Sequence, residues 1–447
     1  MISPIVVVPR PSSSIVFLLA LAAVGLAGEG LTVGKPFDLT PELATGDQRW
    51  PAIAAGGGVY LVVWQEGEAM AGVRDTQILA ARVAPDGKPL DPKGFPVCRA
   101  DGLKSYPAVS FDGANFLVVW QDYRGKRDWD AYAARVTPEG KVLDADGFAV
   151  AAVEGNQIYP SVASDGKRSL VVWSDVRPSS PPELYRLYGS FVQDGKPVEP
   201  GGKELARDKC SLLLPHVAYD GEGFGIVAGH AVPGWQPALP YAIRVSADGQ
   251  AQPWKIPPFL GWTHSVASDP AGKRFLVWSN ARGEHGSYQV WYLAGVCQPD
   301  GSGARHAVLG LQERHPPRND LWCAAAFDGK SFVAVVEQSS LVGENPRHEP
   351  VSVRLVATRL DPADARPLDA GGTPAAANLT DLRSVYHTPA GKEAKAKATP
   401  GVQVAAEPGV QLRQPALASL GGGKSLVVYS RHAGVGRFKI HGVVLEQ

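Results

Sequence analysis

Apolar and polar positions along this chain recur in one phrase. Three copies are closely alike: WPAIAAGGGVYLVVWQE (50–66), YPAVSFDGANFLVVWQD (106–122) and YPSVASDGKRSLVVWSD (159–175). Looser copies follow at LPHVAYDGEGFGIVAGH (214–230), THSVASDPAGKRFLVWSN (263–280), WCAAAFDGKSFVAVVEQ (322–338) and QPALASLGGGKSLVVYS (414–430). In each, a short strand meets a DG or GG turn and continues into an apolar run such as FLVVW, the pattern of a tight hairpin. A third strand comes after a variable loop, as in ILAARV (78–83), AYAARV (131–136) and YAIRV (241–245). A second turn, such as Asp86-Gly87 or Asp248-Gly249, leads to a weaker fourth strand. Four antiparallel strands in a repeat of about 50 residues predict the blade of a β-propeller. The copies number seven, so the predicted fold is all-β, a seven-bladed propeller.

The ends of the repeat predict closure. The last unit stops after its third strand, IHGVVLEQ (440–447), while TVGKPFDLT (32–40) reads like the fourth-strand phrases GKPLDPKGFPV and GKPVEPGGKEL. The N-terminal segment is therefore expected to complete the last blade, leaving no open edge. One insertion interrupts the period at about 378–411, where GKEAKAKATPG carries no strand alternation. It is expected to lie in the connection between blades six and seven, exposed and irregular.

Composition agrees with many short strands and turns: of 447 residues 45% are hydrophobic, with Gly 50 and Pro 38. Lys plus Arg is 44 and Asp plus Glu is 44, so no global field draws in nucleic acid or an anionic membrane, and neither is an expected partner. Residues 15–27, IVFLLALAAVGLA, follow Arg10 and end with Gly25 and Ala27 at the small positions of a cleavage site. Residues 1–27 thus read as a signal peptide, and 28–447 as one secreted or periplasmic propeller with no membrane span in the mature chain. A buried N-terminal strand or a membrane anchor are the alternatives.

The repeated P-x-V-A-x-DG-x-x-FLVVW-x-D followed by YAARV-x-x-DG-x-x-LD resembles the blade repeats of secreted bacterial β-propeller proteins, many of unassigned function. The resemblance implies a propeller in an extracytoplasmic setting. It transfers no catalytic residue, because the shared motif is the scaffold.

Candidate chemistry is sought where blades differ. The turns within hairpins are short, whereas the loops between second and third strands are long and varied, so their face and its central mouth are the expected site. The residues starting the first strands there include Trp50, Tyr106, Tyr159 and Trp322, with Trp262 just ahead of the fifth copy. Aromatic plates with polar tips can stack on a sugar or hold a peptide; alternatively they wedge between blades. Two positions on, a column of small residues is broken by His216, and His264 occupies a position that is proline in five copies. Either histidine is a candidate ligand or base, or a satisfied core residue.

Repeated polar residues read as structural. Glu66, Asp122 and Asp175 after the second strands, Arg124 and Arg177 beyond them, and Arg82, Arg135, Arg244 and Arg359 near the ends of third strands recur too often for single-use chemistry. No metalloprotease HExxH, nucleophile elbow, Walker loop or dinucleotide glycine motif is present, and Cys98, Cys210, Cys297 and Cys323 have neither zinc nor CxxC spacing. No catalytic residue, metal or cofactor is therefore assigned. The expected function is non-enzymatic binding of a glycan or protein ligand. The alternatives are a carbohydrate-active hydrolase or lyase, using loop acids such as Asp128 and Asp130, and a structural envelope component.

Overall fold

The computed structural model describes residues 30–43, 46–67, 76–178, 184–231, 240–256, 263–282, 290–312, 322–341, 351–369, 402–407, 410–434 and 437–447. Residues 1–27, expected from the sequence to be a signal peptide, Trp262 and most of the predicted insertion lie outside them.

Seven small antiparallel sheets form a seven-bladed β-propeller. Blade one contains Gln48–Gly56, Val59–Glu66, Gln77–Val83 and Phe95–Pro96, from the innermost strand outward. Blade two repeats this order with Lys104–Phe111, Phe116–Asp122, Asp130–Val136 and Phe148–Ala151. The inner strands of blades three to seven are Asn156–Ser164, Ser211–Tyr219, Thr263–Asp269, Cys323–Phe327 and Leu412–Gly421. Closure follows the expectation: Thr32–Val33 pairs with Glu446 and Leu445, and Phe37–Asp38 pairs with Gly442 and His441, outside the last long strand Phe438–Glu446.

One correction concerns the sixth blade. Val402–Ala405 is its outermost strand, paired with Val351–Leu360. The extra segment therefore sits between the third and fourth strands of that blade and not in the connection to the seventh. The phrase VQVA was hidden because no DG turn introduces it.

The core is divided among the seams between blades. Among the described residues apolar clusters number seven, one at each seam, and the ring-closing seam joins Tyr60, Val62 and Trp64 of blade one to Leu426, Val428 and Ile440 of blade seven. Second strands face a neighbour on both sides, so Phe116–Asp122 is buried throughout and reads as an unbroken apolar run.

The repeated polar residues tie each blade together. Trp64, Trp120 and Trp173 are fully buried, and each indole Nε1 donates over 2.8 Å to the acid two residues on: Glu66, Asp122 or Asp175. Arg124 and Arg177 neutralise the last two acids at 2.7 and 2.9 Å, and cover the rings of Tyr132 and Tyr188. Arg82, Arg135 and Arg359 on the third strands pair with Asp91, Asp144 and Asp369 in the turn segments that lead toward the fourth strands. These charges are satisfied inside the scaffold, as a structural role requires.

Candidate functional site at the channel mouth

Proline decides the shape of the mouth. A proline within a strand cannot donate to the ladder and is confined to edges and bulges. In the five blades whose inner strand carries Pro51, Pro107, Pro160, Pro215 or Pro415, pairing slips at that point. The preceding residue turns left-handed, with φ of 54° at Trp50, 51° at Tyr106, 55° at Tyr159, 52° at Leu214 and 55° at Gln414. In the two blades with His264 or Cys323 instead, the ladder runs through without a slip. Non-glycine residues in this region cost about 1–3 kcal/mol each, so the surroundings must hold them there.

The hold comes from the preceding blade. At three of the bulges a side chain of the preceding blade accepts the freed backbone N–H: Trp50 N donates to Gln414 Oε1 at 3.0 Å, Tyr159 N to Gln121 Oε1 at 3.0 Å, and Gln414 N to Glu337 Oε1 at 2.5 Å. The left-handed turn also swings each bulge side chain over the end of the central channel.

There the aromatic residues meet. The Trp50 ring lies 4.4 Å from Tyr106 and 4.9 Å from Trp322, and Tyr106 lies 4.8 Å from Tyr159, edge to face. All four are half-buried, and their ring contacts link blades six, one, two and three in succession. Burial raises the hydroxyl pKa of Tyr159, partly offset by a hydrogen bond with Tyr106. Leu214 and Gln414 also line this mouth.

Beneath this surface lies a cavity of about 270 Å³, lined by the inner strands of all seven blades. Among the described residues its wall is proline, alanine, serine, aromatic and aliphatic side chains with Gln414, His216 and Cys323, and none of these is Asp, Glu, Lys or Arg. His216 faces this space, and burial lowers its pKa to about 4, so the ring is neutral at physiological pH. His264, grouped with the mouth residues by sequence, is 3% exposed and turned into the seam against His216. With histidine in the proline's place, this blade keeps an unslipped ladder. Trp262 lies outside the described residues.

Three half-buried aromatic residues on the same face escaped the sequence reading: Tyr123, Trp129 and Tyr185. Tyr123 and Trp129 are in ring contact at 5.2 Å on the loop between the second and third strands of blade two. The signal was the loop phrase DYRGKRDWD, whose acids drew attention instead. Those acids are close to one another: Asp130 is the cross-strand partner of Asp122, and burial followed by repulsion from Asp128 and Asp122 raises its pKa to about 6. Asp128 is committed to the next blade, accepting from Gly155 N at 2.9 Å.

No family model matches this chain, and no curated protein matches it. Solved structures do. A protein of unknown function from Dyadobacter fermentans matches at 12% identity, covering 94% of this chain and 99% of that one, with a TM-score of 0.47. Trypanosoma rangeli sialidase in complex with the inhibitor DANA matches at 11% identity over 70% of this chain and 55% of that one, TM-score 0.43. A putative TolB from Agrobacterium tumefaciens matches at 15% identity over 62% of this chain and 86% of that one, TM-score 0.38.

Proposed function

We propose that this chain is a secreted, non-enzymatic binding propeller that holds an uncharged part of a glycan or protein ligand at its aromatic mouth. The observation that carries the reading is the continuous, half-buried surface of Trp322, Trp50, Tyr106 and Tyr159 above a cavity without a charged wall. An aromatic face gains from covering apolar C–H surface, while the tyrosine hydroxyls and Gln414 offer hydrogen bonds that fix orientation. At about 270 Å³ the cavity is at the small end for a ligand pocket, so it accepts one ring or one side chain and not a long segment. A neutral wall also disfavours a charged group, which would lose its hydration without compensation.

The test is a glycan array and polysaccharide pull-down comparing wild type with a Trp50→Ala/Tyr106→Ala/Trp322→Ala variant of confirmed fold. Capture that the variant loses supports the mouth. Capture that it retains moves the site elsewhere.

A second reading, a carbohydrate-active hydrolase or lyase, draws on Asp130. A carboxyl group with a pKa of about 6 is suited to act as a general acid near neutrality. Turnover of a captured glycan that Asp130→Asn abolishes without weakening capture would favour this reading over binding alone.

A further inference from the structure

Aromatic side chains stand on the loop-bearing face at two distances from the channel axis. Those of the mouth lie on inner strands or directly before them, whereas Tyr123, Trp129 and Tyr185 adjoin second and third strands and so lie further out. The outer group is tied to the mouth through blade three. Trp129 N donates to Asn156 Oδ1 at 3.1 Å, and the Trp129 carbonyl accepts from Gln157 N at 2.6 Å. Both partners begin the inner strand that carries Tyr159 two residues on, a reach of at most about 7 Å of chain. On the other flank of the same blade, Tyr185 directly precedes the third strand Arg186–Gln193. Burial, followed by the neighbouring Tyr159, raises the pKa of its hydroxyl.

The fold does not ask for aromatic rings at these places. Thr76, Trp129 and Tyr185 hold one position in blades one, two and three, each carbonyl accepting from the inner strand of the next blade. Thr76 is fully buried, with its hydroxyl bonded to the Lys104 backbone at 2.7 and 2.9 Å, while Trp129 and Tyr185 are only half-buried. The blade-two loop is also fixed in advance. Lys126 N donates to the Tyr123 carbonyl at 3.0 Å, and Asp128 both accepts from Gly155 N and balances the exposed Arg127 at 3.0 Å. A platform already held in place loses little entropy on binding.

We propose that the ligand of the mouth is a neutral linear oligosaccharide, with one terminal ring in the cavity and the following units passing Tyr159 to lie against Trp129 and Tyr185. This rests on the reading of the mouth as a binding site and adds the ligand class, a direction and a length of more than one unit. The cavity of about 270 Å³ has room for one ring, and its described wall offers no partner to a charged sugar. A chain of rings, each with an apolar C–H face and a rim of hydroxyls, matches flat aromatic faces met in succession and tyrosine hydroxyls that can bond to it.

The experiment is calorimetry with cello-, malto- and manno-oligosaccharides of one to six units, read as affinity against chain length. At least one series should bind wild type tenfold or more tightly as a tetrasaccharide than as a monosaccharide. Trp129→Ala and Tyr185→Ala should each flatten that dependence, Trp129→Phe should restore most of it, and Trp50→Ala should weaken binding at every length. Binding of no series, or a length dependence that survives in both alanine variants of the outer group, would overturn the proposal. Length-independent binding that Trp50→Ala loses would overturn the outer track and keep the mouth, whereas length-dependent binding untouched by Trp50→Ala would overturn both.

Discussion

Trp50 donates its backbone N–H to the side chain of Gln414 across the seam where the ring closes, two residues 364 apart in the chain and 3.0 Å apart in space. Gln414 in turn donates its own N–H to Glu337 of the sixth blade. The seventh blade is thus pinned on both sides through one residue, and the left-handed turn that presents Trp50 depends on it.

Replacing Gln414 with alanine should therefore loosen the closing seam. It leaves Trp50 N and the Ser430 hydroxyl, which donates to the same oxygen at 3.1 Å, without their acceptor. Loss of about 1–3 kcal/mol in chemical denaturation is expected, with Gln414→Glu much milder because an acceptor remains. Equal effects of the two substitutions would contradict the latch.

Gly147 is required twice over. Its φ is +66°, and an added Cβ would come within 2.8 Å of the Trp120 ring. Gly147→Ala should cost at least about 2 kcal/mol from the left-handed backbone and the overlap together. A double variant with Trp120→Phe should show coupling, because the shorter ring removes the overlap but not the backbone strain. Strict additivity in that cycle would argue against the contact.

Lys104 is fully buried, and its ammonium donates to the carbonyls of Ala100 and Gly102 at 2.5 and 2.8 Å. One blade on, Gln157 Nε2 donates to the Gly155 carbonyl at 3.1 Å from the matching position. Lys104→Gln should therefore unfold within about 1 kcal/mol of wild type, while Lys104→Met should lose about 2–3 kcal/mol by stranding the carbonyls. Thermal unfolding of the three proteins distinguishes these outcomes.

Acid should weaken the fold through its buried histidines. Both folded pKa values are depressed, to about 4 for His216 and about 3 for His264, from 6.5. Below pH 6.5 the unfolded chain takes up protons that the folded one refuses, so stability falls as pH drops toward 4. The slope is about 1.4 kcal/mol per pH unit for each histidine. Asp130, raised to about 6, works in the opposite sense: its contribution falls as pH rises from 3.8 through 6. Stability measured from pH 4 to 7 should show a shallower acid loss in His216→Ala and a gain above pH 6 in Asp130→Asn. Parallel curves for wild type and His216→Ala would contradict the burial of that ring.

The architecture was legible because each blade announces its hairpins with DG turns and an apolar second strand, and because TVGKPFDLT so closely matches the other outer strands. The role of the recurring acids and arginines was legible for the same reason: repetition across blades marks a scaffold. The bulges were not anticipated, although Pro51 and its counterparts carried the signal by denying a ladder donor in mid-strand. That omission also hid why Trp50, ahead of a proline, turns left-handed over the channel, while the blade with His264 in the proline's place keeps an unslipped ladder. Val402–Ala405 escaped notice because strand pairing with Leu355–Ala357 defines it, and pairing partners far apart in sequence leave no local pattern.

The central claim is that the aromatic mouth binds an uncharged group. The most direct measurement is calorimetry of the captured ligand with wild type and Trp50→Ala at low and high salt. The account predicts an affinity at least tenfold lower for the variant, and nearly the same wild-type affinity at both salt concentrations because no charge lines the cavity. Unchanged binding by a correctly folded Trp50→Ala, or a wild-type affinity that collapses with salt, would contradict it.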